Sequence, residues 1–206
     1  MEERQKRMKC MNNYYESPVY FTSDTHFFHK NILKYCANRT YESLDKMHSA
    51  IIKNWNKTVP DDANIFFLGD FCFDFKQNQS KVLDIIDALH GKIHFISGNH
   101  DSYMKKMASR FVSFHSSTKK GVYIDVEDAE QEKGCSTVYL RHIFDPGWQN
   151  GIADMHFYGH AHGTPYRGNY ALDVGIDNHS EFRPFEYNEI KNIFKNFENI
   201  ESIWEI

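Results

Sequence analysis

Ile65-Phe66-Phe67-Leu68 is a continuous apolar run that stops at Gly69-Asp70. Four apolar residues closed off by a glycine read as a buried strand. On its N-terminal side, Val19-Tyr20-Phe21-Thr22 is a β-branched and aromatic run of strand type. Between the two strands lie a short helical stretch at 30–36 and a longer helix. Thr40 to Ser43 offer caps for the longer one, and Leu44, Met47, Ile51, Ile52 and Trp55 recur at helical spacing before Pro60. On the C-terminal side, residues 80–89 carry Val82, Leu83, Ile85, Ile86 and Leu89 on one helical face, and Gly91 follows as a cap. Ile93-His94-Phe95-Ile96 is the next strand. Strand, helices, strand, helix, strand is the order of βαβ units, so these strands are expected to be parallel.

The second half changes character. Residues 121–126, 137–142, 155–158 and 170–174 are strand-like with little helix between them, 127–134 read as a charged, solvated turn, and an amphipathic helix spans 188–197. Residues 1–17 are polar and aperiodic and are expected to form a tail, with 18–206 as one α/β domain. The chain has 206 residues, enough for a real core without disulfide staples. Its net charge of −4 advertises neither nucleic acid nor an anionic membrane. No apolar run is long enough to span a bilayer, and the first residues lack the apolar segment of a secretory signal. Cysteines at 10, 36, 72 and 135 form no CxxC pair and fit reduced thiols in a cytoplasmic protein.

The chemistry lies at the strand ends. The first strand runs into Asp24-Thr25-His26, the second into Asp70, and the third into Gly98-Asn99-His100-Asp101. A later strand ends at His142, and another at Gly159-His160-Ala161-His162. Ligands of open α/β sheets gather at the carboxyl ends of strands. Here those ends deliver nitrogen and oxygen donors without a thiolate, a set suited to Zn, Mn or Fe. Asp24, His26, Asp70, Asn99, His142, His160 and His162 are seven donors. With one carboxylate shared, that number suits two ions, the arrangement that clamps both oxygens of a phosphoryl displacement.

These five blocks, in this order and each after a strand, resemble the calcineurin-like metallophosphoesterases, and the stretch 25–32 (THFFHKNI) resembles the small bacterial and phage members. The resemblance implies a four-layer α/β/β/α sandwich with two divalent metal ions per chain (Mn, Fe, Zn or Ni, manganese favoured). It implies that Asp24, His26, Asp70 and His162 hold one ion, that Asp70, Asn99, His142 and His160 hold the other, and that Asp70 bridges them. A water or hydroxide between the ions would be the nucleophile. His100 would bind no metal and would serve as general acid or steady the phosphate oxygens. His29 would lie on the substrate side.

Two departures refine the expectation. Ser/Thr protein phosphatases of this superfamily continue Gly-Asp with x-x-Asp-Arg, whereas this chain has Phe71-Cys72-Phe73-Asp74-Phe75. The phosphate-gripping arginine is missing, and Asp74 comes one place late as a candidate to orient His100. Asp101 is a second acid behind the metal ligands. The fourth block is His142-Ile143-Phe144-Asp145-Pro146 rather than His-x-Pro, and His156, which shares strand parity with His160, is the alternative to His142. The expected activity is hydrolysis of a phosphodiester, a nucleotide being among the candidate substrates. A phosphomonoesterase is the first alternative and an inactive metal-binding scaffold the second. Substrate choice is expected in the loops 29–41, 103–120 and 143–153.

Overall fold

The computed structural model describes residues 13–116, 120–163 and 170–204. Two five-stranded sheets are formed. The first has the order β10-β2-β3-β4-β5, with β2 Val19–Thr22, β3 Asn64–Phe67, β4 Lys92–Ile96 and β5 Ser113–His115 all parallel and β10 Phe185–Glu186 antiparallel at one edge. The second has the order β1-β6-β7-β8-β9, from β1 Asn13–Tyr15, β6 Val122–Glu127, β7 Cys135–Leu140, β8 Met155–Tyr158 and β9 Ala171–Asp173. Its only antiparallel pair among the described strands is β6 with β7. The helices are α1 Ile32–Tyr35, α2 Leu44–Thr58, α3 Phe75–Ala88 and α4 Tyr187–Trp204.

Successive residues of a strand point to opposite faces, and β2 and β3 use both. Val19, Phe21, Phe66 and Leu68 meet Val138, Leu140, Phe157 and Leu172 of the second sheet in the core between the sheets. Tyr20, Ile65, Phe67 and Phe95 turn the other way, onto Met47, Ile51 and Trp55 of α2 and Val82 and Ile85 of α3. That double burial is why residues 65–68 are apolar without alternation. Tyr187, Ile190 and Phe194 of α4 join the core between the sheets. On the outer face of the second sheet, Tyr139 and Tyr158 pack with Trp148, Phe144 and Ala153. The expected α/β sandwich is found, built from two sheets, both rich in parallel pairs, with helices.

Several local expectations change. Residues 13–15 are not tail but a strand parallel to β6, and Ser17 donates its backbone N–H to Glu127, so order begins before residue 18. Residues 1–12, including the basic cluster at 4–9, lie outside the described residues. Helix α3 opens with a turn at Phe75, anchored by its buried ring, and kinks at Asn78 before the stretch expected from 80. The residue that ends this helix is Leu89, and Gly91 lies beyond it. The turn after β6 is more than solvated: buried Asp128 accepts from Ser136, Tyr187 and Lys191 and so docks α4. Cys36 and Cys72 are free thiols, but Cys135 is disulfide-bonded, against the expectation of four reduced cysteines. No described helix is long and apolar enough to cross a membrane.

The parallel strands β2, β3, β4, β7, β8 and β9 all end on one side. The segments beyond β2 and β3 stay laced together, with Asp24 N–H to Gly69 O at 2.9 Å, His26 N–H to Asp70 O at 3.1 Å and Phe27 N–H to Phe71 O at 2.9 Å. The chemistry-bearing loops therefore extend the sheet rather than hang from it.

Candidate metal centre

Asp24, His26 and His162 bring one donor atom each within 4.8 Å of one another, and so do Asp70, His142 and His160. Asn99 joins the second group through its Oδ1, 3.0 Å from His142 Nε2. Asp70 stands between the groups. Its Oδ2 is 3.7 Å from His26 Nε2 and 3.4 Å from His142 Nε2, while its Oδ1 accepts the His100 backbone N–H at 2.9 Å. All seven donors named from the sequence converge here.

The backbone is bent to make this possible. Asp24, His26, Asp70, His160 and His162 are non-glycine residues in the left-handed region, with φ between 41° and 74°. Each costs of order 1–3 kcal/mol, and such strain gathers at functional sites. Gly69 and Gly98 let two of the loops touch. A Cβ on Gly69 would lie 2.3 Å from the Gly98 nitrogen, and one on Gly98 would lie 2.1 Å from Asp70 Oδ1.

The donor set fits cations. His142 Nδ1 is 2.7 Å from the Leu68 carbonyl, which can only accept, so Nδ1 carries the hydrogen. The lone pair of a neutral His142 Nε2 then faces Asn99 Oδ1 and Asp70 Oδ2, acceptor against acceptor. His162 repeats the pattern. Its Nδ1 donates to Asp177 at 2.5 Å and its Nε2 lies 3.1 Å from His26 Nε2. Asp24 Oδ2 accepts from Ser23 and from the His160 N–H, while its Oδ1 is buried with no hydrogen-bond partner. Only a proton or a cation satisfies such pockets. Without a cation, protons are held. Burial opposes protonation of His142, yet Asp70 and Asp24 raise it to about 9. Burial likewise opposes protonation of His162, which Asp177, Cys36 and Asp24 raise to about 10. Asp24 lies below the usual carboxylate range because His26, His142 and His162 override its burial.

Behind the donors stands a buried scaffold. Asp101 accepts from the backbone N–H groups of Asp70 (2.6 Å), Gly98 (2.8 Å) and Phe71 (3.1 Å), tying two loops together. Burial and the neighbouring Asp70 push its carboxyl up to about 7. Asp173 does the same for Ala161 and Gly175. Arg39, 1% exposed, pairs with Asp177 through two nitrogens and also donates to the Asp24 and Thr25 carbonyls. One guanidinium thus reaches the chain at Asp24 and, through Asp177, the ring of His162. A histidine whose other nitrogen is held by a carboxylate is the usual support of a metal ligand.

Asp173, Asp177 and Arg39 were absent from the expectations. Asp177 lies just beyond β9, so the strand-end rule that found the other acids would have reached it. Arg39 sits in a polar loop without periodicity and carries no sequence signal. His142, not His156, is the histidine in the cluster. His156 is buried against the Tyr139 carbonyl and the Asp145 N–H, and burial lowers it to about 4. Asp74 lines the cavity beside His100, but no hydrogen bond joins the two among the described residues. The acid nearest the His100 ring is Asp70, at 4.0 Å. Of the three loops expected to choose substrate, 143–153 packs on the outer face of the second sheet through Phe144, Trp148 and Ala153.

Two parallel-rich sheets bring two groups of candidate metal donors together at their strand ends. The sequence profile of the calcineurin-like phosphoesterases matches residues 17–174, most of the chain, and the protein belongs to that family of metal-dependent phosphoester hydrolases. It is 43% identical over 88 residues to the uncharacterized protein MJ1445 of Methanocaldococcus jannaschii, covering 43% of this chain and 49% of that protein. It is 28% identical over 85 residues to the gene 66 protein of Mycobacterium phage L5, covering 41% of this chain and 40% of that protein. These matches span half or less of either relative. The fold is shared with a protein of unknown function, AQ665 from Aquifex aeolicus, with a TM-score of 0.63, 21% identity, and coverage of 88% of this chain and all of that one.

Proposed function

We propose that this chain hydrolyses phosphodiesters, with two divalent ions held by the two donor groups and His100 as the acid. The observation that carries the diester reading is the setting of His100. Its half-exposed ring borders two cavities, one of about 600 Å³ lined also by His26, Asp70, His160 and His162 and one of about 350 Å³ lined also by Asn99. Both are lined by Phe73, Asp74 and His100. A phosphoryl group at this junction has room for a substituent on each side. A monoester would leave one side empty.

When bound, divalent cations would act as Lewis acids on the phosphoryl group and lower the pKa of water. The protein's own groups divide the remaining work. Asp101 fixes the Asp70 backbone through its N–H, and the His100 N–H holds the Asp70 carboxylate in one orientation between the donor groups. The Leu68 carbonyl and Asp177 hold His142 and His162 with Nε2 inward. The His100 ring, free of metal-binding duty, donates a proton to the departing alkoxide.

Turnover of bis-p-nitrophenyl phosphate, p-nitrophenyl phosphate and a dinucleotide, with manganese added, tests the assignment. Diesters should show the higher kcat/KM; preference for the monoester would replace the diester reading. His100→Asn should retain both ions and lose about 10²–10⁴-fold in kcat on the dinucleotide, with a much smaller loss on the p-nitrophenyl diester, whose leaving group needs no proton. Loss of an ion in this variant would make His100 a ligand and overturn its role.

A further inference from the structure

The larger cavity has one wall made of rings. His26 of the donor cluster is 5.5 Å from the His29 ring, His29 stacks on Phe73 at 4.4 Å with 19° between planes, and the edge of Tyr35 meets His29 at 5.8 Å. Phe73 in turn lies 5.3 Å from His100. Aromatic surface therefore runs without a break from the donors and the acid out to Tyr35. Tyr35 is 71% exposed, and among the exposed large apolar residues described (Val112, Ile152, Tyr170 and Phe197 are the others) it is the one that lines this cavity. A single exposed tyrosine is ordinary. One that ends a row of rings beside the chemistry is not. Lys30 and Asn31 border the same space and offer a cation and an amide. His29 adds a buried Nδ1 without a hydrogen-bond partner beside this wall.

Deepening the proposed phosphoesterase reading, on which it rests, we infer that this wall is a subsite for a planar aromatic ring carried by the substrate. The phosphoryl group would sit at the donors, a sugar-sized spacer would cross Ile32, and the ring would lie against Tyr35 with its edge toward Asn31. An aliphatic ester would fill the space but leave the ring faces and Asn31 without partners of their own kind. Nucleobases and simple aryl groups share this chemistry.

Equilibrium binding to the manganese-loaded protein tests the subsite without relying on turnover. The ligands are adenosine 5′-monophosphate, phenyl phosphate, ribose 5-phosphate and inorganic phosphate. The two ring-bearing ligands should bind roughly 5–100-fold more tightly than ribose 5-phosphate, the size of one base–aromatic stack. Tyr35→Ala, at an exposed position that does not threaten folding, should erase most of that margin and leave inorganic phosphate binding unchanged. Adenosine monophosphate above phenyl phosphate would assign a nucleobase, and equality a general aryl group. Equal affinity of ribose 5-phosphate and the ring-bearing ligands, or a margin that survives Tyr35→Ala, would overturn the subsite while leaving the phosphoesterase reading intact. Failure of all four, inorganic phosphate included, would overturn both.

Discussion

Single atoms carry much of this site. Gly98 shows it most sharply, since a methyl group there would stand 2.1 Å from Asp70 Oδ1 and 2.6 Å from the Asp70 nitrogen. The nitrogen is backbone, and the carboxylate oxygen is buried and held by the His100 N–H. Gly98→Ala should therefore push the shared carboxylate off its position, and metal analysis should find less than the wild-type content together with a loss of hydrolysis. Full occupancy in this variant would mean that Asp70 does not bind where the two groups meet. Asp177 tests the scaffold instead. Its carboxylate joins His162 Nδ1 to the Arg39 guanidinium. Asp177→Asn keeps the shape and removes the charge, and supports of this kind are worth about 10–100-fold in metal affinity. Calorimetric titration with manganese should show one of two binding events weakened by that factor and the other little changed. Equal weakening of both would point to a general loss of structure.

At the scale of elements, α4 closes the molecule through charge as well as apolar contact. Glu189, in its first turn, accepts from His179 at 3.0 Å and from two nitrogens of Arg183 at 3.0 Å each, pinning the segment before β10 to the helix. Burial favours the protonated acid, but these partners hold Glu189 down at about 2, against an ordinary value of 4.5. A carboxyl lowered in the folded state adds stability that is fully present above the unfolded pKa and disappears as pH falls through the folded one. The wild type should therefore lose melting temperature between about pH 4.5 and 2 more steeply than Glu189→Gln. Parallel curves would show that the cluster adds nothing at this half-buried position. Asp128 anchors the same helix from the second sheet, which is why residues 127–134 act as a dock and not a free turn.

For the whole molecule, the donors come from loops of both sheets, so a cation bound among them ties the sandwich together. Ligands that bind only the folded state stabilise it by mass action, about 2.7 kcal/mol at one hundred times the dissociation constant. For a chain of this size that is roughly 5–10 °C in melting temperature. Manganese should raise the melting temperature by an amount that grows with its concentration, and chelation should reverse it. A melting temperature indifferent to both would contradict a metal centre spanning the two sheets.

The fold class was legible because buried strands and amphipathic helices obey local periods. Residues 65–68 are apolar on both faces, α2 carries Met47, Ile51 and Trp55 at helical spacing, and the strand ends repeat Gly with Asp, Asn or His. The convergence of the seven candidate donors was legible for the same reason, since each lies within four residues of the end of a parallel strand. Tertiary structure alone decided the rest. β1 is a strand only because β6 lies beside it, as its own three residues, Asn13 to Tyr15, carry no alternation to read. Arg39 matters only because folding carries Asp177 to it across 138 positions of sequence. The choice of His142 over His156 was made by which histidine faces the Asp70 carboxylate and which the Tyr139 carbonyl. Periodicity reports which face of an element is buried. It does not report what stands opposite, and these partners are set by packing between elements distant in the chain.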